Sequence, residues 1–157
     1  MSAPRIRAAQ LDDCAAMSTV LIASITQLCE PDHHNDPAWL EPWLANKSPE
    51  GLRTMLLAGI RTLFVAEVDG VVAAVGGISG DSVVLNYVAP QYRFMGVSRA
   101  LMCALEASLK AQGHNTIRLM SSATAHRFYL DLGWQDLSQP GIDYSHTGRP
   151  MSKVLAP

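Results

Sequence analysis

Residues 89–101, APQYRFMGVSRAL, connect an apolar run to the most strongly helical segment of the chain. The run before them, SVVLNYV at 82–88, is rich in the β-branched residues of a buried strand. A strand followed by a short loop and a helix from about Gly96 leaves unpaired backbone N–H groups at the positive end of the helix dipole. Gly96 permits close backbone approach, and Arg93 adds a permanent positive charge. The stretch therefore predicts a phosphate-type anion site, with a plain strand–helix turn as the alternative on these residues alone.

The runs before this stretch predict strands connected by hairpins. TLFVAEV at 62–68 and VVAAVGGIS at 71–79 are apolar and β-branched, and Asp69-Gly70 between them is a strong hairpin signal. A second turn at Gly80-Asp81 leads into 82–88. Hairpins come first and one helical crossover comes later, so we expect an α/β (α+β) fold with a mixed, mainly antiparallel central sheet flanked by helices.

The remaining elements follow from helix start signals and apolar spacing. Asp12, Asp36 and Ser48 are predicted helix N-caps, and the last two precede a proline. Gly113 suits the C-terminal end of the helix that begins near Gly96. The other predicted elements are a strand at 4–9, a strand at 116–122, a helix at 124–133 and a closing strand or strand pair up to residue 157. No linker or repeat interrupts residues 1–157, which are predicted to form a single domain.

The composition is that of an ordinary globular protein. Of the 157 residues 48% are hydrophobic and 17% are charged, and the net charge of −2 gives no electrostatic reason to expect nucleic acid or a membrane as partner. No apolar run approaches the ~20 residues of a membrane span, and the N-terminus lacks the apolar core of a signal peptide. Cys14, Cys29 and Cys103 are too few for a disulfide framework, which favours reduced thiols in a cytoplasmic protein, with Cys103 buried in its helix.

Three motifs resemble those of the GCN5-related N-acetyltransferase (GNAT) superfamily. Its acyl-CoA pyrophosphate loop has the pattern Arg/Gln-x-x-Gly-x-Gly/Ala after a strand that ends in Val-x-Pro, and this chain has RFMGVS at 93–98 after VAP at 88–90. AHRFYLDLGW at 125–134 matches a second element, Ala-x-x-Phe-Tyr-x-x-x-Gly-Phe, and MSKVL at 151–155 resembles the closing strand. The chain departs from the loop pattern with Phe94 in place of a glycine and Ser98 in place of the second Gly/Ala.

The resemblance implies the acyl-CoA N-acyltransferase fold, acetyl-CoA as co-substrate and no metal. It also implies that Tyr129 is the general acid toward the departing thiolate, with a packing role for this aromatic residue as the alternative. Val88 would polarise the thioester carbonyl through its N–H. Carried over by motif, the cofactor-binding residues are Tyr87, Val88, Arg93, Phe94, Met95, Gly96, Val97, Ser98, Arg99, Ser122 (where many members have an asparagine) and Ala125.

The general base and the acceptor site stay open at this stage. Glu67, Asp81, His126 and an ordered water are the candidates for the base, and each side chain also has an ordinary structural interpretation. The resemblance assigns acceptor specificity partly to the region between the first helices, here Glu30–Asp36. This segment could attract a cationic amine or hold a metal, although a solvated loop is the preferred interpretation. Trp39 and Trp43, four residues apart, are expected to pack inward, with the lining of a substrate pocket as the alternative.

Together these features predict an acetyl-CoA-dependent N-acetyltransferase that transfers an acetyl group to a primary amine by direct attack in a ternary complex. The partner would be an amine-bearing acceptor, either a small molecule or a peptide, and pairing of two copies into a homodimer is a further option. The alternative is a non-catalytic acyl-CoA-binding or regulatory module with the same fold.

Overall fold

The computed structural model describes residues 2–157, which form strands and helices in the following order along the chain. The strands are β1 (Arg5–Ala8), β2 (Thr62–Val68), β3 (Val71–Ser79), β4 (Ser82–Val88), β5 (Thr116–Ser121), β6 (Gln135–Asp136) and β7 (Arg149–Val154). The helices are α1 (Cys14–Leu28), α2 (Glu30–His33), α3 (Pro37–Leu44), α4 (Pro49–Ala58), α5 (Val97–Ala111) and α6 (His126–Asp131).

One seven-stranded sheet organises these elements, in the order β1-β2-β3-β4-β5-β7-β6. All neighbouring strands are antiparallel except β4 and β5, which are parallel. One face of the sheet packs against α5 and α6, and the other packs against α1 and α4. The predicted mixed, mainly antiparallel sheet with flanking helices is therefore confirmed.

Local turn chemistry sets the register of the hairpins. Asp69 and Gly70 have φ values of 51° and 81°, so both central residues of the β2–β3 turn are left-handed, as the twist of a two-residue hairpin requires. In the next hairpin Gly77 pairs with Leu85 and Ile78 pairs with Val83, which leaves Val84 as an extra residue in β4. This bulge decides which side chains of the second half of β4 lie on each face of the sheet.

The close packing of α5 on the sheet depends on Gly76. A Cβ atom added there would lie 3.0 Å from a methyl carbon of Leu101 and 3.0 Å from one of Leu105, and both leucines are fully buried. A side chain at this position would push α5 outward, because a close-packed core has no free volume to receive it. The small residue in β3 thus fixes how near the N-terminal half of α5 lies to β4.

Two of the three predicted caps are confirmed, and the third is wrong. The Asp36 carboxylate accepts the Ala38 N–H at 3.0 Å, and the Ser48 hydroxyl accepts the Gly51 N–H at 3.0 Å. Asp12 is exposed and caps nothing, because a turn of 3₁₀ helix at 11–13 precedes α1 and moves the helix start to Cys14.

One burial prediction fails, and a second holds only in part. Cys103 is exposed, because it lies on the solvent side of α5 while the leucines of that helix cover the sheet. Most of the Glu30–Asp36 segment is exposed, as expected, but it contains the single helical turn α2, in which Asp32 and His33 are buried.

The edge of the sheet at β1 is held by an ion-pair cluster. The Arg7 guanidinium donates to both carboxylate oxygens of Asp13 at 2.8 Å and also to Glu67 on β2. These bonds lower the pKa of Asp13 below its usual value, in spite of the opposing effect of burial. A carboxyl group whose folded-state pKa is lowered stabilises the fold above its unfolded-state pKa of about 4 and loses that effect as pH falls through the folded-state value.

Asp13→Asn is therefore expected to lower the free energy of unfolding by about 1–2 kcal/mol at pH 7. The difference between the variant and the parent protein should be smaller at pH 3 than at pH 7, because protonation of Asp13 removes the charge that Arg7 binds. Urea unfolding of both proteins at the two pH values measures this. An unchanged difference at low pH would contradict the assigned role of the charge.

Candidate functional site

The centre of the sheet is open, because β4 and β5 touch only at their start. Ser82 opposite Arg118 is their one registered pair, next to a bond from the Arg118 N–H to the Asp81 carbonyl at 3.1 Å. On its other side, β5 pairs along its whole length with β7. The second half of β4 therefore faces a wedge-shaped cleft on the side away from β3.

Unpaired backbone groups line the β4 side of this cleft. The Ala89 N–H donates to the Ala73 carbonyl at 2.8 Å, so Ala89 and Ala73 form a hydrogen-bonded pair. Going back along β4, hydrogen-bonded pairs with β3 alternate with pairs that are not hydrogen-bonded. By that alternation Val88 and Asn86 direct their backbone N–H and C=O groups away from β3, into the cleft. A strand edge of this kind can pair with an extended polar ligand in the way that an added strand would.

The cleft leads directly to the N-terminus of α5. Gly96 is the N-cap with φ 81°, and the first intrahelical bond runs from the Ala100 N–H to the Gly96 carbonyl at 3.1 Å. The amides of 97–99 precede that bond and have no intrahelical acceptor, so they form the positive end of a fifteen-residue helix. An anion of the size of a phosphate fits this combination of charge and donors.

The side chains of the predicted phosphate loop point in different directions. Val97 is buried beneath the helix start and contributes to the core, so its part in any ligand contact is through its backbone. Met95 and Arg99 are exposed, and Ser98 is half-buried. The Arg93 guanidinium lies 4.6 Å from the centre of the Phe94 ring, so the loop carries a positive charge.

Phe94 carries backbone strain that its side chain does not offset. Its φ of 64° is in the left-handed region, where glycine is favoured, and its ring is 90% exposed. The loop thus keeps the backbone shape that a glycine would give it, at a conformational cost, with a large ring outside.

Tyr129 and Asn86 meet at the cleft on the α5 side of the sheet. The Asn86 side-chain amide donates to the Tyr129 hydroxyl oxygen at 3.1 Å, so the hydroxyl keeps its own proton available for another acceptor. Burial raises the pKa of Tyr129 to about 12. The Asn86 Oδ1 atom is buried and has no partner in the described residues, which marks a place for a ligand donor.

The three side chains predicted as candidate bases lie elsewhere and are engaged. Glu67 is bonded to Arg7 at the β1–β2 edge, and Asp81 lies at the closed end of the cleft, 3.6 Å from Arg118. His126 shares a 2.8 Å contact with Asp136 at the surface of α6. The structure does not bring any of them together with Tyr129 and Val88 around one cavity.

A cavity of about 500 Å³ opens on the other face of the same strand. Tyr87 lines it, because the β4 bulge turns this side chain toward α1 and α3. The backbone of Tyr87 is bonded to β3. The Trp43 indole N–H donates to the Tyr87 hydroxyl at 3.1 Å. Ser122, at the end of β5, also lines the cavity and accepts the Ala125 N–H at 3.1 Å, which begins the turn into α6. Ala125 is the N-cap of that helix.

Trp39 departs from the expected inward packing. Its side chain is 44% exposed and stacks flat on His146 from the segment before β7, with ring centres 3.5 Å apart and planes 3° apart. Both rings line the cavity together with Trp43. The structure therefore shows the alternative arrangement, in which the two tryptophans line a pocket.

Asp32 and His33 are the site residues that local sequence signals did not identify. The Asp32 carboxylate accepts the Ala123 N–H at 2.6 Å, and from Thr124 it accepts the N–H at 3.2 Å and the hydroxyl at 2.6 Å. His33 is fully buried and its Nε2 lies 2.8 Å from the Ile25 carbonyl oxygen. A sequence shows no local sign of contacts that span some ninety positions; the only available signal was the density of acids and histidines in 30–36.

Among residues 2–157, no group of three or more His, Cys, Asp or Glu side chains is placed to hold a metal ion. No helix in the same range is both long and apolar enough to cross a membrane.

The sequence matches a family model described as "Acetyltransferase (GNAT) domain" over residues 21–155. The chain belongs to the GNAT acetyltransferase family. The match includes the cleft, the start of α5 and Tyr129, so the GNAT assignment covers every element of the candidate site. No curated protein sequence matches the chain.

Solved structures agree with this assignment at the level of the fold. A GCN5-related N-acetyltransferase of Rhodopseudomonas palustris is 24% identical, with a TM-score of 0.84 over 99% of this chain and 98% of that one. The PaiA N-acetyltransferase of Thermoplasma acidophilum, in complex with coenzyme A, is 16% identical, with a TM-score of 0.80 over 98% and 100%. The YncA protein of Salmonella typhimurium, with its cofactor acetyl-CoA, is 21% identical, with a TM-score of 0.62 over 99% and 96%.

The strain at Phe94 in this GNAT loop yields a prediction. Phe94→Gly is expected to raise the free energy of unfolding by about 1 kcal/mol, because it removes the left-handed strain while the exposed ring contributes little burial. Met95→Gly is the matched control: Met95 is the exposed neighbour and has no positive φ, so the same change there should destabilise by about 0.5–1 kcal/mol. Thermal unfolding of both variants measures this, and destabilisation by Phe94→Gly would contradict it.

Proposed function

We propose that this GNAT domain, residues 1–157, is an acetyl-CoA-dependent N-acetyltransferase that acts on a primary amine. The observation that carries the proposal is the continuity of the site: the open edge of β4 ends at the unpaired amides of α5, and the Tyr129 hydroxyl lies against the same edge. Acetyl-CoA supplies an activated acetyl group on a thioester, a long arm rich in amides and a pyrophosphate. Each of these parts has a counterpart in the chain.

The pyrophosphate would bind at the start of α5. The free amides of 97–99 and the Arg93 guanidinium provide directed donors and positive charge, and Gly96 leaves open space over the backbone, with no atom within 4 Å of a Cβ built there. The extended arm would pair with the outward-facing backbone groups of Asn86 and Val88.

The Val88 N–H would stabilise the reacting carbonyl. Negative charge develops on the carbonyl oxygen as the amine attacks, and a donor fixed in advance by the sheet stabilises that charge without having to reorganise. The bond between Ala89 and Ala73 holds this part of β4 in place.

Tyr129 would donate a proton to the departing thiolate. A pKa of about 12 keeps its hydroxyl protonated at neutral pH, and the Asn86 amide occupies an oxygen lone pair without taking the proton. The amine would enter from the cavity lined by Tyr87, on the opposite face of β4, and would lose its proton to water, because the candidate acids and His126 are engaged elsewhere.

One observation favours the alternative, a non-catalytic acyl-CoA-binding module. The three side chains considered as general base, Glu67, Asp81 and His126, are each held in an ion pair away from Tyr129, so none of them is free to act as the base. A binding module would hold acetyl-CoA in the same cleft and show no turnover with any amine.

Tyr129→Phe separates the two functions. We expect the substitution to lower kcat by about 100-fold and to leave the affinity for acetyl-CoA, measured by calorimetry, unchanged, because only the acid is removed. Gly96→Glu should abolish acetyl-CoA binding, since it places a carboxylate where the phosphates would lie.

Gly113→Glu is the matched control for the second variant. Gly113 also has a positive φ, 95°, with open space around it, but it lies past the other end of α5, a helix about 22 Å long at 1.5 Å per residue. Binding retained by Gly113→Glu and lost by Gly96→Glu supports the phosphate site. Full turnover by Tyr129→Phe would contradict the assignment of Tyr129 as the general acid. Binding of acetyl-CoA without turnover in the parent protein would favour the non-catalytic module.

A further inference from the structure

We infer that the acceptor is a small primary amine with a flat aromatic body and no carboxylate, bound in the cavity between α3, β4 and the segment before β7. This inference rests on the proposed function, because it names the class of substrate for the same site. It is carried by the walls of the cavity, the charge beside it and its size.

Aromatic rings form the walls. Trp39, Trp43, Tyr87 and His146 line the cavity, and the first and last of them are stacked in parallel. The Trp43 N–H and the Tyr87 hydroxyl oxygen are joined to each other, so each of these rings offers its apolar surface to a ligand more than its polar atom. Flat rings bind flat apolar groups by stacking, and they also attract an ammonium group through their π faces.

The charge beside these walls is negative. The Asp32 carboxylate is buried at the edge of the cavity and accepts bonds from neutral donors alone, and residues 2–157 give it no ion-pair partner. None of the residues that line the cavity is a lysine or an arginine. The two imidazoles of the lining already have partners. His33 is bonded on both ring nitrogens, and His146 is stacked on Trp39.

This balance selects against acceptors that carry a carboxylate. An ammonium group is attracted by Asp32 and the rings, whereas a carboxylate on the same ligand would be desolvated beside a like charge with no lysine or arginine in the lining to receive it. Free α-amino acids are therefore poor ligands, and the corresponding amines that lack the carboxylate are good ones.

The segment 145–148 bounds the cavity on one side and limits its size. The contact between His146 and Trp39 holds this segment against α3. A volume of about 500 Å³ accommodates a bicyclic amine with room for its chain. Only part of an extended peptide would fit within it.

The experiment compares tryptamine with three probes that each depart from the proposed class in a stated way. Tryptophan has the same ring and adds a carboxylate; spermidine is cationic without a ring; an alanine-led tripeptide with an amidated C-terminus represents the extended acceptor without a carboxylate. Each is titrated calorimetrically into the full chain saturated with coenzyme A, and each is then assayed for acetylation with acetyl-CoA.

We expect tryptamine to bind at least about tenfold more tightly than the other three and to be the best acceptor. Trp39→Ala should weaken tryptamine binding by about tenfold, Trp39→Phe should restore most of it, and both should leave the affinity for coenzyme A unchanged. Leu57→Ala, which removes a 63% exposed apolar side chain of α4 outside the cavity, is the control for surface truncation.

The outcomes separate this inference from the proposed function. Tryptophan that binds as well as tryptamine would overturn the charge argument, and tighter binding of spermidine or the tripeptide would overturn the aromatic class while leaving an acetyltransferase. An unchanged affinity in Trp39→Ala would also overturn the inference. Tryptamine binding with the expected rank but no turnover would support the pocket and contradict the proposed activity.

Discussion

The single registered contact between β4 and β5 is the constraint on which the rest of the site depends. Parallel strands that continue to pair past Ser82 and Arg118 would bond the outward-facing groups of β4 to β5 and close the sheet. Instead, β5 completes its pairing with β7, and the free half of β4 is left as a short interior edge. The outward-facing N–H and C=O groups of Asn86 and Val88, which are half-buried, are thereby left available to an extended ligand.

The two layers of helices keep this cleft open from both sides. Gly76 brings α5 down onto β3, which places the start of that helix in line with the end of β4. On the other face, α1 and α4 hold the strand through a separate core that includes Leu85. The bulge at Val84 then divides the end of β4 between the faces, with Asn86 toward Tyr129 and Tyr87 toward the aromatic cavity. Because side chains alternate along a strand, this one extra residue decides that Asn86 lies on the proposed cofactor side and Tyr87 on the proposed acceptor side.

Sequence reasoning succeeded where the cause was local. The left-handed turn at Asp69-Gly70, the caps at Asp36 and Ser48 and the strand-to-helix transition at Gly96 each depend on a few neighbouring residues, and the structure has all of them. The family motifs added the order of elements. The positions of the phosphate loop and of Tyr129 in one cleft follow from that order.

Sequence reasoning failed where tertiary contacts decide. Asp32 bonds to Ala123 and Thr124, 91 and 92 positions away, and this carboxylate is buried within a segment that is otherwise mostly exposed. The Trp39 ring stacks on His146, and the position of His146 depends on the path of the segment before β7. Glu67 was a candidate base by residue type alone, and its real partner, Arg7, is on a strand that only the sheet brings near.

Amide hydrogen exchange at Val88 tests the central claim most directly, because the open edge of β4 is the feature that every functional step uses. In the protein alone, the Val88 N–H should exchange much faster than that of Tyr87, which the alternation assigns to β3. Saturation with acetyl-CoA should slow exchange at Val88 by about tenfold or more and leave Tyr87 unchanged. If acetyl-CoA binds and the Val88 amide keeps its fast exchange, the ligand does not complete the β4 edge and the account is wrong.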